Sequence, residues 1–355
     1  MDALIDSWLG RIGEAGARGG KLAIRGGGSK AFYGGVETGE PFAVGEYRGI
    51  VAYEPTELVV TARAGTRLAD LAATLAAKGQ WLPCEPPHFG SQATVGGMLA
   101  CGLSGPRRQA MGAVRDFVLG VRLLDGRGQI LTFGGQVMKN VAGYDVPRLL
   151  AGSLGTLGVI LEVSLKVLPQ PVAECSLRFA IDEAAALQRL NQWGGRPLPI
   201  SASAWHEGVL TLRLSGAAAA VAAAQRTLGG ELLAAADAAA FWQALREHEH
   251  AFFAGEGPLW RLGLPSVAPP PGLGPTLIEW GGAQRWLRGA DAAAVRAAAA
   301  KAGGHATLFR GDAALKAAVG VFQPLSEPLA RIHRNLKQAF DPLRIFNPGR
   351  MYPDL

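Results

Sequence analysis

Apolar residues at Leu4, Ile5, Trp8, Leu9 and Ile12 return at the spacing of one helix face, so the chain is expected to open with an amphipathic helix. An apolar run at 21–24 then predicts a short strand, and 58–64 another. Leu68, Leu71, Ala72 and Leu75 share one face of a helix, with Thr66 as its N-cap and Gly79 as its stop. Residues 118–124 and 129–133 flank Asp125-Gly126-Arg127-Gly128, a hairpin signal. The stretch 139–168 follows, around which the chain is organised. It combines a short helix at 145–150, a glycine turn at 152–158 and a final alternation. In that alternation Leu161, Val163, Leu165 and Val167 interleave with Glu162, Ser164 and Lys166, the period of a half-buried strand.

Proline marks a change at Pro169-Gln170-Pro171. Beyond it, alanine-rich helix material at 217–224, 234–240 and 292–300 alternates with strand candidates at 176–181, 200–205, 209–214, 259–264, 277–280, 285–287 and 306–309. That pattern predicts a small α+β domain with a largely antiparallel sheet. His248 and His250 are expected on a solvated helix, where their spacing turns the rings apart and argues against a metal site. A helix at 325–340 and an irregular tail at Asn347-Pro348-Gly349-Arg350 close the pattern. The expected divisions are residues 1–170, 171–324 and 325–355.

With 355 residues, 49% apolar and 18% charged, the chain has the composition of a globular protein long enough for two cores. No apolar run approaches the roughly 20 residues of a membrane-spanning helix. The first residues carry acidic groups and lack a signal peptide's apolar core, which places the chain in the cytoplasm. The net charge of +6 is scattered, which suits an anion, an acidic partner or a membrane surface but not nucleic acid. Cys84, Cys101 and Cys175 are far apart and form no Cys-x-x-Cys, so neither zinc nor an iron–sulfur cluster is expected.

Three glycine clusters carry the chemistry. Arg25-Gly26-Gly27-Gly28-Ser29 follows the first strand but runs on without a helix, so it is neither a P-loop nor a Rossmann turn. Its successive amides suit an anion-binding nest, with Arg25 adding a charge-assisted bond; a plain turn would use the same residues. Ser91, Thr94, Val95, Gly96, Gly97 and Gly102 belong to a second cluster, which tight helix packing would also explain. The third is Gly152-Ser153-Leu154-Gly155-Thr156-Leu157-Gly158, where glycine at every third position lets another group approach the backbone. A flexible connector is its alternative. Together the clusters suit a long ligand with an anionic middle and a flat ring.

Over residues 1–170 the motifs Arg25-Gly26-Gly27-Gly28-Ser29, Ala93-Thr94-Val95-Gly96-Gly97 and the segment 143–158 resemble the FAD-binding domain of the vanillyl-alcohol oxidase / p-cresol methylhydroxylase (PCMH-type) flavoproteins. The segments 86–94, 103–108, 112–117 and 346–352 extend the likeness to the smaller, FAD-binding subunits of bacterial glycolate oxidases. The resemblance implies an α+β fold, a PCMH-type FAD domain followed by an α+β cap with an antiparallel sheet, and a closing segment that returns to the flavin. Gly26, Gly27, Gly28 and Ser29 would hold the pyrophosphate. Thr94, Gly96 and Gly97 would lie by the ring, and Gly155, Gly158, Val159 and Ile160 by the adenine or pyrophosphate. Ser91, Val95, Gly102, Ser153, Thr156 and Asn347 complete the implied cofactor set. Ser29 stands where covalently flavinylated relatives carry a histidine, which implies non-covalent FAD.

Oxidation of a 2-hydroxy acid such as glycolate needs a cation for the carboxylate and a base for the hydroxyl proton. Arg107, Arg108 and Arg350 are candidates for the first, and Tyr144, His88, His206 and His333 for the second. The metal- and substrate-contacting histidines of catalytic relatives have no counterpart here, Gly304-His305-Ala306-Thr307 being the nearest segment. The resemblance therefore implies a FAD subunit working beside a catalytic flavoprotein subunit and an iron–sulfur subunit, in the cytoplasm or at the inner face of its membrane. A self-sufficient FAD dehydrogenase is the alternative, and an interaction module without FAD a third. Trp242, Trp260 and Trp286 are the expected docking surface, with a small apolar core as their other reading.

Overall fold

The computed structural model describes residues 3–135 and 144–355. The beginning of the organising stretch, residues 139–143, lies outside the described residues. Helix α1 (Ala3–Arg18) buries Ile5, Trp8, Ile12 and Ala15. Their partners are Phe42, Val159, Leu161, Ile345 and Phe346, drawn from widely separated parts of the chain. Strand β1 (Leu22–Arg25) pairs in parallel with β2 (Glu40–Ala43), while Leu22 also forms a parallel bridge with Phe346. The closing segment thus lies against β1, on which the first glycine loop is mounted.

A five-stranded antiparallel sheet forms beside this unit, in the order Ile50–Glu54, Val59–Arg63, Val159–Lys166, Val118–Leu124, Ile130–Gly134. Helices α2 (Leu68–Ala76) and α3 (Val95–Cys101) cover it through Leu68, Leu71, Leu75, Met98 and Leu99. An eight-stranded antiparallel sheet follows, with all seven longer strand candidates paired in it. One face packs on the helices Glu183–Gly194, Ala218–Leu228 and Ala292–Lys301 through Leu187, Val221 and Val295. The other presents Trp286, Phe309 and Leu277 to Tyr33, Leu103 and Leu154 of the first half. No helix among the described residues is long and apolar enough to cross a membrane.

Several expectations give way. Thr66 does not cap α2: its hydroxyl accepts from Gly49 N at 2.9 Å and donates to Gly49 O at 3.0 Å, and the helix starts after an uncapped Arg67. The strand at 159–166 is buried on both faces, because it is central to its sheet; Ser164 bonds Thr61 at 2.8 Å and Glu162 pairs with Arg122. Glu183–Gly194 and Ala313–Val319 are additional helices, N-capped by Asp182 and Asp312. His248 is not on a solvated helix. It takes the left-handed conformation just after the helix Ala235–Glu247, and its ring stacks on Phe253 at 4.0 Å, against Trp286, Phe309 and Phe89. Trp242, Trp260 and Trp286 are buried to 4%, 0% and 2% exposure, so they build core rather than a docking surface.

Candidate functional site

The glycine clusters converge on one cleft of about 850 Å³, counting the part open to solvent. Its walls are Arg25, Gly26, Gly27, Gly28, Ser29 and Lys30 from the first loop, Thr94, Gly96 and Gly97 from α3, and Gly155, Gly158, Ile160 and Asn347. Ile24 and Val44 tie one end to the core around α1, and Cys101 and Leu154 tie the other to the core shared with the second sheet.

Close backbone approach explains most of these glycines. A Cβ on Gly27 would stand 1.5 Å from Gln92 O, and one on Gly96 would stand 2.7 Å from Ala64 Cβ. Gly97 differs. A Cβ there would meet only Thr94 Oγ1, at 3.1 Å, so its bare face is open cleft wall. Thr94 caps α3 by accepting from Gly97 N, while Val95 N and Gly96 N donate to Thr66 O and Ala64 O. The helix amides are therefore already bonded. The amides of Gly27, Gly28, Ser29 and Lys30, by contrast, donate to no acceptor among the described residues. Free N–H groups in succession are an anion nest.

Two residues from the closing segment hold this arrangement. Asn347 accepts from Ile24 N at 2.7 Å and donates to Leu154 O at 2.6 Å. Arg350 lines the cleft, but its guanidinium donates to the carbonyls of Ala31, Tyr33 and Gly35. It holds the loop and has little left for a substrate carboxylate. Behind the third cluster, buried Lys337 donates to Thr156 O at 2.7 Å, Phe346 O at 2.8 Å and Asp341 Oδ2 at 2.9 Å.

Other candidates lie elsewhere. Arg107 is 3% exposed and locked between the two halves, bonding Glu85, Glu174 and Ser215, with Arg213 on the second oxygen of Glu85. Arg108 lies over the Trp280 ring, and Tyr144 is 92% exposed. His206 is beside His250, outside the cleft, and His333 is next to Tyr352. The His88 amide is held by Glu247 and its carbonyl by Lys30. Ser91, Val95, Gly102, Ser153, Thr156 and Val159 do not line the cleft. Val95 and Val159 are core, Ser153 and Thr156 are buried and bonded to each other through Thr156 Oγ1, and Gly102 ends α3 at φ +63°.

Sequence reasoning missed Lys30, Cys101 and Glu37 as cleft residues. Lys30 sits directly after the nest, which was a usable signal. Cys101 gave none beyond its place on α3. Glu37 pairs with Arg25 across the loop, so that arginine is partly neutralised. Burial raises the Cys101 thiol above its ordinary range, disfavouring a thiolate nucleophile in the cleft.

Residues 11–134 match the FAD binding domain family. The glycolate oxidase subunit GlcE of Escherichia coli K12 is 52% identical over 336 residues, covering 94% of this chain and 93% of that protein. Glycolate oxidase subunit GlcD of Bacillus subtilis is 33% identical over 128 residues, which is 36% of this chain and 27% of GlcD. A D-lactate dehydrogenase of Anaerostipes hadrus is 37% identical over 128 residues, 36% of this chain and 26% of that one. Among solved structures, an alkyldihydroxyacetonephosphate synthase superposes with a TM-score of 0.64 at 15% identity, covering 95% of this chain and 73% of that one, a likeness of fold. The cleft fits FAD: the free amides suit a pyrophosphate and the bare face of α3 suits a flat ring. Given the identity along nearly the whole length of both proteins, this chain belongs to the family of the glycolate oxidase subunit GlcE.

Proposed function

We propose that this chain is the FAD-bearing subunit of a glycolate-oxidising complex, with a catalytic flavoprotein subunit and an iron–sulfur subunit as partners in the cytoplasm or at the inner face of its membrane. In this reading residues 1–170 and 325–355 form the cofactor domain and 171–324 the cap. The observation that carries it is the set of unbonded amides from Gly27 to Lys30 on the wall of a long cleft, in a GlcE-like chain.

Bound FAD supplies a two-electron acceptor for the hydride of a 2-hydroxy acid. The chain's own residues supply placement. Gly27, Gly28 and Ser29 offer amides to the pyrophosphate, Gly97 and Ala100 give the ring a flat wall, and Val44, Gly158 and Ile160 enclose the adenine end. Asn347 and Arg350 brace the walls. Among the described residues no histidine lines the cleft, and burial keeps Cys101 toward the thiol form, which supports non-covalent attachment. Arg107 and Arg350 are both committed to protein acceptors, and no group of three His, Cys, Asp or Glu among the described residues is placed to hold a metal. Both facts support dependence on partner subunits for substrate chemistry and onward electron transfer.

The test begins with the purified chain. It should be yellow, and acid precipitation should release all of the flavin into the supernatant. Steady-state assays with glycolate, D-lactate and an artificial dye should show no turnover until the partner subunits are added. Dye reduction by the chain alone at about 1–1000 per second would overturn the partner-subunit reading. A folded chain that takes up no flavin would overturn the proposal as a whole.

A further inference from the structure

Lys30 is 7% exposed, and among the described residues no carboxylate bonds its ammonium, Glu247 acting on its charge only at longer range. Its ammonium donates to His88 O at 3.1 Å and reaches Ser29 Oγ at 3.4 Å, leaving one of its N–H groups unspent. A buried cation with no carboxylate in contact is costly, and in a cleft it marks a place for negative charge. The other cations of the cleft are committed, Arg25 to Glu37 and Arg350 to backbone carbonyls.

The position of the ammonium decides which negative charge it meets. Besides Ser29 Oγ, the Nζ reaches the His88 carbonyl and lies 5.7 Å from the centroid of the Phe89 ring, on the side of the cleft toward the cap. The His88–Phe89 segment is fixed in turn by Glu247, which accepts from His88 N at 3.0 Å and Phe89 N at 2.8 Å. Burial lowers the pKa of the Lys30 ammonium below its ordinary range, and its neighbours are Cys101, in the last turn of α3, and Glu247. Lys30 therefore occupies the end of the cleft that meets the cap, where the ring-sized wall of α3 lies.

We infer that Lys30 is the charge partner of the flavin ring, favouring the anionic reduced form over the neutral oxidised one and so raising the reduction potential of this cofactor. The inference rests on the FAD reading above. Ring binding comes from α3 and phosphate binding from the loop amides, so Lys30 acts on the difference between the two redox states rather than on affinity for the oxidised form.

The test measures the potential of the holo chain by dye equilibration and its FAD affinity by titration of apoprotein, for wild type, Lys30→Met, Lys30→Gln and Lys30→Arg. Lys30→Met should bind oxidised FAD within about threefold of wild type but favour the reduced form at least tenfold less, a fall of about 30 mV for a two-electron couple. Lys30→Arg should recover at least half of the difference. An unchanged potential in Lys30→Met and Lys30→Gln overturns the inference. So does loss of FAD from both variants while they remain folded by circular dichroism, because Lys30 would then serve the phosphates. A wild-type chain without flavin would instead sink the FAD reading itself.

Discussion

Asn347 Nδ2 donates to Leu154 O at 2.6 Å, joining residues 193 positions apart in sequence. The same side chain accepts from Ile24 N through Oδ1, so one amide ties the glycine turn to the strand that carries the nest. Asn347→Ala should strand two polar backbone groups and cost about 1–3 kcal/mol of stability. Asn347→Asp keeps the acceptor and loses the donor, so it should fall between alanine and wild type. Urea unfolding of the three apoproteins checks the order, and FAD affinity should follow it.

Gly97→Leu separates cofactor binding from folding better than any change at Gly27, where the backbone of Gln92 leaves no room. A leucine at Gly97 would project into the cleft from the first turn of α3, where replacing glycine gains at most roughly 1 kcal/mol of helix propensity. The expected variant is folded, at least as stable as wild-type apoprotein, and colourless, with FAD affinity down by at least about tenfold. Thermal melts and flavin absorbance read the two effects independently.

Glu85 accepts from Arg107 Nε at 3.0 Å and Arg213 at 2.7 Å, and burial opposes its charge while the two guanidinium groups hold its pKa below the usual range. Glu85→Ala would leave both cations buried without their shared partner, costing about 3–5 kcal/mol. Arg107→Met should destabilise the chain too, yet leave FAD affinity unchanged, because Arg107 does not line the cleft. A drop in FAD affinity in a folded Arg107→Met protein would return it to the list of cofactor-site residues.

Glu279 is fully buried, and burial pushes its carboxyl up to about 7, although Trp286 Nε1 and Gln284 Nε2 bond its Oε2 at 2.7 and 3.0 Å. Its folded pKa exceeds the unfolded one, so the protonated form contributes stability below about pH 4.5 that is lost as pH rises toward 7. The loss amounts to about 3 kcal/mol. Glu279→Gln should flatten that part of the stability–pH curve and be the more stable protein at pH 8. Urea midpoints from pH 4.5 to 8 test the sign and the size.

Much of this was legible in the chain because local pattern and tertiary context agree. The α1 face, the 118–134 hairpin and the antiparallel strands after Pro171 each carry their own period. Misreadings came where long-range contacts override local chemistry. Thr66 has an N-cap's composition but finds Gly49, and Glu162 and Ser164 look solvent-facing until strands close on both sides of theirs. The candidate arginines illustrate the same limit. Nothing adjacent to Arg107 reveals that Glu174 will bond it or that Arg213 will share its partner Glu85, and nothing near Arg350 reveals that carbonyls at 31–35 will take its donors. The glycine loops were readable as places where another group meets the backbone, and three of them line one cleft. Lys30 was missed although it directly follows Ser29, because its burial against the His88–Phe89 segment is a long-range feature.

The bridge between Leu22 and Phe346, with Asn347 beside it, also sets an order of events during synthesis. The segment that braces the strand below the Gly26–Lys30 loop is translated more than 300 residues after it, Asn347 being separated from Ile24 by 323 positions. A nascent chain therefore exposes the nest long before it has a finished cleft around it. The brace that Phe346 and Asn347 give the strand below the nest is absent until that late segment has been made.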